Sequence, residues 1–140
     1  MVRNFALIVL ATLLAGCGNS ADTIPVRGKV TLDGGSLPTA GTVYFTPIEA
    51  FGSHPLRPAS ANFDADGNYS VFSFEHAEGL FPGKYRVHVH CWKVPPTMDG
   101  PREQSYLPSK YERPHTSDLT LTIEENSSAK EFNIDINSES

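Results

Sequence analysis

Apolar side chains at every second position constrain the fold of this 140-residue chain more than any other sequence feature. In residues 85–92, Tyr, Val, Val and Cys alternate with Arg, His, His and Trp. Because successive side chains of a β-strand point to opposite faces of a sheet, this period of two predicts a strand with one buried face. A sheet of such strands needs a second layer to cover its apolar face.

Seven such runs follow one another, most of them separated by turn signals such as residues 33–35 (DGG) and 64–68 (DADGN). The runs are residues 26–32, 42–46, 59–63, 69–71, 85–91, 119–123 and 132–136. Pro47 is expected to end the second run, and residues 93–117 are predicted to form a long, Pro-rich, irregular loop. Since no stretch forms a convincing amphipathic helix, the sequence predicts an all-β fold, a single seven-stranded antiparallel β-sandwich.

Strand parity also assigns the inward positions of this predicted sandwich. The residues predicted to be buried are Val30, Val43, Phe45, Phe63, Tyr69, Val71, Tyr85, Val87, Val89, Leu119, Leu121, Ile123, Phe132 and Ile134. Outward neighbours such as Lys29 and Thr120 are predicted to face solvent.

The first 17 residues have the features of an export signal. Arg3 is the only charge before an apolar run, residues 5–14, that is too short to cross about 30 Å of hydrocarbon. Residues 14–17, LAGC, resemble the lipobox of bacterial lipoproteins. This resemblance implies cleavage before Cys17 and acylation of its sulfur, and two or more acyl chains anchor a protein stably. The alternatives are an ordinary signal peptide with an unrelated Cys, or a buried N-terminal helix.

The predicted domains are a lipoprotein signal peptide (residues 1–16), a lipidated tether (17–25) and a sandwich domain (26–137). We therefore expect a bacterial lipoprotein that faces the periplasm or the cell exterior, with membrane lipid as its partner through acylated Cys17. The balance of 11 Lys and Arg against 16 Asp and Glu argues against nucleic acid as a partner. If Cys17 is acylated, Cys91 has no cysteine left to pair with, and no disulfide is predicted.

Four segments in order resemble carboxypeptidase-regulatory-like (transthyretin-like) domains. They are residues 26–34 (VRGKVTLDG), the 37–43 region with its Leu-Pro pair and Gly-Thr-Val triplet, 66–71 (DGNYSV) and 81–87 (FPGKYRV). Residues 107–111 (LPSKY) and 116–120 (TSDLT) are similar to small lipoproteins of planctomycete bacteria. The resemblance implies a seven-stranded prealbumin-like sandwich without catalytic residues, because the regulatory domain is the non-enzymatic part of those carboxypeptidases.

No catalytic grouping is indicated by the residues themselves either. The chain has no Gly-x-Ser-x-Gly motif, and Cys91 has inward parity, where a thiol behaves as a small apolar group. We expect a protein that is not an enzyme, with no catalytic residues and no cofactor.

Two patterns are compatible with metal binding, but each has a simpler interpretation. His88 and His90 lie two residues apart on one strand face, so both imidazoles could serve one ion, or both could simply be solvated. Residues 64–75 match an EF-hand count at positions 1, 3, 5, 7 and 12, but Tyr69 occupies the position that requires Gly. A hairpin turn explains the second pattern better, and no metal site is predicted.

Aromatic residues with outward parity or within the long loop define a candidate binding surface. They are Phe72, Phe74, Trp92, Tyr106 and Tyr111. The favoured alternative is that residues 93–117 fold back and cover Phe72, Phe74 and Trp92. The predicted function is binding or cell-envelope structure, with an envelope protein or a glycan as partner, and the rival is a carbohydrate- or metal-binding accessory module.

Overall fold

The computed structural model describes residues 22–74 and 77–140, apart from the side chain of Phe74. This part of the chain is all-β and contains no α-helix. The strands in chain order are β1 Val26–Leu32, β2 Gly41–Ala50, β3 Ala59–Phe63, β4 Asn68–Ser70, β5 Phe72–Phe74, β6 Ala77–Glu78, β7 Gly83–His90, β8 Trp92–Val94, β9 Gln104–Ser105, β10 Thr120–Ile123, β11 Lys130–Glu131 and β12 Ile134–Ile136. A single 3₁₀ turn, Ser109–Glu112, lies between β9 and β10.

Two sheets form the body of the domain. The large sheet has the order β10-β7-β2-β3-β5-β6, and all its neighbouring strands are antiparallel. In the small sheet, β1 pairs with β4 in antiparallel fashion and with β11 and β12 in parallel fashion. β8 and β9 form a separate two-stranded hairpin.

The core lies between the two sheets. The rings of Phe45 on β2 and Tyr69 on β4 pack across it with their centroids 6.4 Å apart. Val30 and Ile134 of the small sheet belong to the same buried cluster as Val87 of the large sheet. Because each fully buried side chain of this kind contributes roughly 1.5–3 kcal/mol, the shared core holds the two layers together.

Strand parity predicts most of this core correctly. In β7, buried and partly exposed residues alternate as expected, and twelve of the fourteen residues predicted to be buried are buried. The prediction is wrong for Leu119 and Phe132, which are only partly buried. Leu119 precedes β10 and Phe132 lies between β11 and β12, so strand alternation does not apply to either residue.

The predicted single strand over residues 69–71 is wrong, because the chain changes sheets there. β4 pairs with β1 in the small sheet, whereas β5 pairs with β3 in the large sheet. Val71 lies at the crossing and is fully buried. Its N–H donates to the carbonyl of Val26 at 3.0 Å, and its carbonyl accepts from the N–H of Gly79 at 2.7 Å.

The predicted end of the second strand at Pro47 is also wrong. β2 continues to Ala50, and its register with β7 shifts between Pro47 and Glu49. Proline lacks an N–H donor, and a strand tolerates it where a bulge already interrupts the ladder.

Residues 93–117 are not a uniformly irregular loop, which corrects the prediction. Their first part forms the β8–β9 hairpin, whose tip, residues 95–103, is exposed. The second part runs along the edge of β7 and buries Leu107, Tyr111 and Ser117. The hydroxyl of Ser117 donates to the carbonyl of Val87 at 2.5 Å, so this part is attached to the sheet.

The folded domain begins a few residues before Val26. Ile24 is buried, and its N–H and carbonyl bond to Leu80 at 2.8 and 3.0 Å. The hydroxyl of Thr23 donates to the carbonyl of Glu78 at 2.8 Å. The predicted signal peptide and Cys17 lie outside the described residues. Within residues 22–74 and 77–140, no helix has the length and apolar character needed to cross a membrane.

Candidate functional site

The structure separates the five aromatic residues predicted to form a binding surface. Tyr111 is buried in the core, which rules it out as a surface residue. Trp92 and Tyr106 both lie at the base of the β8–β9 hairpin, since Trp92 pairs with Ser105 and the Tyr106 N–H donates to the Cys91 carbonyl at 2.9 Å. Trp92 is half-buried and Tyr106 is 38% exposed.

Phe72 lies apart from the hairpin, on β5. Its side chain is 53% exposed, so the interpretation that residues 93–117 cover it is wrong. The first part of that segment forms the β8–β9 hairpin, and its second part follows the edge of β7, three strands away from β5 in the sheet order. The side chain of Phe74 lies outside the described part of the chain.

A ladder of four rings covers the outer face of β2 and β7. Tyr44 stacks on His88 with centroids 4.9 Å apart and an interplanar angle of 12°, and it also contacts His90 at 4.9 Å. His90 in turn contacts Trp92 at 5.0 Å, which joins the ladder to the hairpin base. The ladder packs the outer face of the sheet with rings and thereby supports the hairpin.

The surrounding protein sets the protonation of His88 and the hydrogen bonding of His90. Desolvation, assisted by the neighbouring His90, lowers the pKa of His88 to about 4, so His88 is neutral near pH 7. Nε2 of His90 lies 2.8 Å from the carbonyl oxygen of Glu112, and an N–H donated there leaves Nδ1 as the acceptor nitrogen. Three nearby polar atoms, Arg86 Nε, His88 Nδ1 and Glu112 Oε1, are buried and have no hydrogen-bond partner in the described part of the chain. Because they are covered, a ligand arriving from solvent does not reach them.

Neither pattern considered for metal binding gains a further ligand. Among residues 22–74 and 77–140, no group of three or more His, Cys, Asp or Glu side chains is placed to hold a metal ion. In the 64–68 turn, Oδ1 of Asp64 accepts the N–H groups of Asp66 and Asn68, each at 3.0 Å, which is the geometry of an Asx-type turn. Glu75, the twelfth position of the EF-hand count, lies outside the described residues.

Cys91 has the environment expected from its inward parity. It is fully buried, its Sγ donates to the carbonyl of Thr39 at 3.6 Å, and burial raises the pKa of its thiol. A thiol in this setting is a poor nucleophile.

An open cleft of about 700 Å³ lies at the corner where β3 and β4 pass from one sheet to the other. We call it the Phe72 cleft, and its lining includes Phe72, Asn62, Asp64, Ser70 and Arg27. It combines one exposed aromatic wall with amide, carboxylate, hydroxyl and guanidinium groups. Small-ligand sites have volumes of roughly 300–1,000 Å³ and pair apolar surface with a few polar groups in this way.

Hydrogen bonds hold the polar groups of the Phe72 cleft in place, and some of their donor and acceptor atoms remain available to a ligand. Oδ1 of Asn62 accepts the Thr42 hydroxyl at 3.0 Å, and Oδ1 of Asp64 caps the turn. Within the described residues, Nδ2 of Asn62 and Oδ2 of Asp64 make no hydrogen bond to protein. Nε and Nη2 of Arg27 donate to one oxygen of Glu78 at 3.1 and 2.7 Å, which fixes the guanidinium at the rim.

A larger groove of about 920 Å³ crosses the outer face of the small sheet next to this cleft. It carries Lys29 and Lys130, but its lining contains no aromatic ring. Its acidic side chains are bonded internally, since Asp135 accepts the Thr31 hydroxyl at 2.8 Å and Glu131 accepts the Asn133 amide at 2.8 Å. The two concave surfaces adjoin, because both are lined by Arg27, Gly28 and Asn68.

Sequence reasoning identified Phe72 and considered Asp64 and Ser70 as positions of the EF-hand count, and it missed Asn62 and the grouping of these residues around Phe72. Asn62, Asp64 and Ser70 read as an outward strand residue, a turn residue and a strand end, respectively. The available signal was the outward parity of Asn62 on the strand before the 64–68 turn. That signal does not show that Asn62 lies beside Phe72, because their proximity depends on the pairing of β3 with β5, which the local sequence does not encode.

Comparisons with protein-family models, curated proteins and solved structures find no match for this chain.

Proposed function

We propose that this protein is a non-enzymatic lipoprotein that is held at a bacterial membrane through acylated Cys17 and displays a binding domain. The domain is a β-sandwich of the carboxypeptidase-regulatory-like type. Two sheets around one core support this fold, and residues 14–17 (LAGC) support the anchor.

The start of the folded domain limits the length of the proposed tether. Because Thr23 and Ile24 are already bonded to the domain, the tether is residues 18–22. Fully extended, it reaches about 16–18 Å. A tether of that length would keep the domain close to the headgroups.

One observation supports a binding role above all others, the exposed ring of Phe72 in a polar cleft. The ring is 53% exposed and stands in a concave surface beside amide, carboxylate and hydroxyl groups, and this combination, not exposure alone, is typical of ligand sites. The ionisable groups beside it have structural partners, since Arg27 bonds to Glu78 and Asp64 caps a turn. Groups committed in this way suit recognition better than proton transfer.

The anchor is tested by labelling growing cells with radioactive palmitate. We expect Cys17→Ser to lose the label and to accumulate as an uncleaved or soluble species, because the thiol is the lipid acceptor. Cys91→Ser is the matched control and should keep the label. Unchanged labelling of Cys17→Ser would contradict the anchor.

The binding role is tested by crosslinking the full-length protein to components of its own cell envelope. We expect wild-type protein to form a discrete crosslinked product and Phe72→Ala to lose it. Leu56→Ala removes an apolar side chain that is 57% exposed and lies outside the lining of the cleft, so it should behave as wild type. Equal losses in the two variants would show that general surface apolarity, and not the cleft, mediates contact.

A further inference from the structure

We propose that the Phe72 cleft binds an uncharged glycan, with one sugar ring stacked on Phe72. This inference rests on the proposed function, because it names the ligand class of the same cleft. A sugar ring has an apolar C–H face and a hydroxyl-bearing edge. The cleft offers a complement to each.

The apolar complement is the phenyl ring and its position in the sheet. Phe72 on β5 pairs directly with Ser60 on β3, and Ser60 pairs with Tyr44 on β2. Directly paired residues of antiparallel strands point to the same face, so the row presents two rings with a small hydroxyl residue between them. With about 4.8 Å between strands, the two rings stand roughly 10 Å apart. Of this row, Phe72 lines the cleft, so its ring is the apolar surface on which a sugar can stack.

The polar complement is a mixed set of donors and acceptors. Nδ2 of Asn62 is a donor and Oδ2 of Asp64 is an acceptor, and neither has a protein partner within the described residues. Ser70 adds a hydroxyl group to the lining. A sugar hydroxyl donates and accepts at the same time, so adjacent hydroxyls can satisfy an amide and a carboxylate together.

The charges of the cleft select an uncharged ligand. The guanidinium of Arg27 is neutralised by Glu78 at 2.7 Å, which weakens its attraction for an anion. The unpartnered oxygen of Asp64 repels carboxylates and phosphates. The adjoining groove with Lys29 and Lys130 suits anions better, but it has no aromatic ring on which a sugar can stack.

The test uses the full-length protein in detergent micelles and isothermal titration calorimetry. The probes are three uncharged tetrasaccharides (cellotetraose, mannotetraose and tetra-N-acetylchitotetraose) and one anionic tetrasaccharide, tetragalacturonate. We expect at least one uncharged probe to bind and the anionic probe not to bind. Phe72→Ala should weaken binding about tenfold or more, because stacking on the ring is lost. Leu56→Ala should change it less than about twofold.

A second variant separates stacking from charge. Asp64→Asn keeps the Oδ1 acceptor that caps the turn and removes the charge, so the affinity for an uncharged probe should change only a few-fold. Far-ultraviolet circular dichroism and thermal melting confirm that each variant is folded. Since Phe72 and Leu56 are both exposed, neither alanine variant should unfold the domain.

Three results would overturn the inference. They are no binding of any uncharged probe at millimolar concentration, preferential binding of tetragalacturonate, and binding that Phe72→Ala leaves unchanged. If no sugar binds while envelope crosslinking still depends on Phe72, the glycan inference is wrong and the proposed binding role stands. If the crosslinking also fails, the proposed function itself is wrong.

Discussion

Replacing Ser117 with alanine should destabilise the domain far more than its position in a Pro-rich connection suggests. Ser117 is 1% exposed. Its hydroxyl donates to the carbonyl of Val87 at 2.5 Å and accepts from the N–H of Leu119 at 3.2 Å. The same edge of β7 is paired further by the Val87 N–H, which donates to the Leu119 carbonyl at 2.9 Å. Ser117 therefore attaches the connection to the large sheet.

The magnitude follows from the groups that the substitution leaves without partners. An unsatisfied buried carbonyl costs about 1–3 kcal/mol, and the partly buried N–H of Leu119 adds a smaller loss. We expect the free energy of unfolding to fall by about 2–3 kcal/mol. For a domain of this size, that is a decrease in Tm of roughly 6–12 °C.

The assay is urea and thermal unfolding of the full-length protein. Thr116→Ala is the matched control, because its hydroxyl bonds to the carbonyls of Lys110 and Arg113 in an exposed position and should matter by about 0.5 kcal/mol or less. A Gly-Ser replacement of the exposed tip, residues 95–103, should also be nearly neutral, since closing a loop depends weakly on its length. Equal destabilisation by Ser117→Ala and Thr116→Ala would refute the attachment of this segment to β7.

Two further predictions concern pH and the core. Because the pKa of His88 is about 4 in the folded state and about 6.5 when unfolded, the unfolded chain binds the extra proton, and stability should fall as the pH decreases from 6.5 to 4. Partial solvent screening limits this contribution to about 1–2 kcal/mol, and His88→Gln should lose that part of the pH dependence of the urea midpoint while keeping the part due to carboxylates. Leu121→Ala should cost about 2–4 kcal/mol through a buried cavity, whereas Thr120→Ala, its exposed neighbour on β10, should stay within about 0.5 kcal/mol in the same urea titration.

The all-β fold and most of its core were predictable, because strand alternation is written locally in the sequence. Residues 85–91 show the full pattern, and each apolar member is buried in the structure. The change of sheet at Val71 was not predictable in the same way. An apolar residue between two outward residues fits one continuous strand as well as a crossing between two sheets, and only the long-range pairing of β4 with β1 and β5 with β3 distinguishes them.

The division of residues 93–117 into a hairpin and a segment attached to β7 was not predictable from the sequence for a related reason. Both halves are rich in Pro and polar residues, so composition predicts a loop throughout. What separates them is a set of contacts with β7, made by Ser117 and by the carbonyl of Glu112 toward His90. Tyr111 illustrates the consequence, since an aromatic residue in a loop was interpreted as surface and is in fact core.

The backbone of Phe72 is fixed mainly by the preceding residue, Val71. β5 is short, and Phe72 pairs with Ser60 on β3 and forms an isolated bridge with Gly79. Its backbone is held mainly by its neighbour, because Val71 is fully buried between the sheets and bonded on both sides, to Val26 and to Gly79. Only glycine fits at position 79 between these strands, because a Cβ there would lie 2.0 Å from the carbonyl oxygen of Ile24. The exposed ring of Phe72 thus follows directly on a fully buried and doubly bonded residue, which gives a rigid base to a side chain that faces solvent.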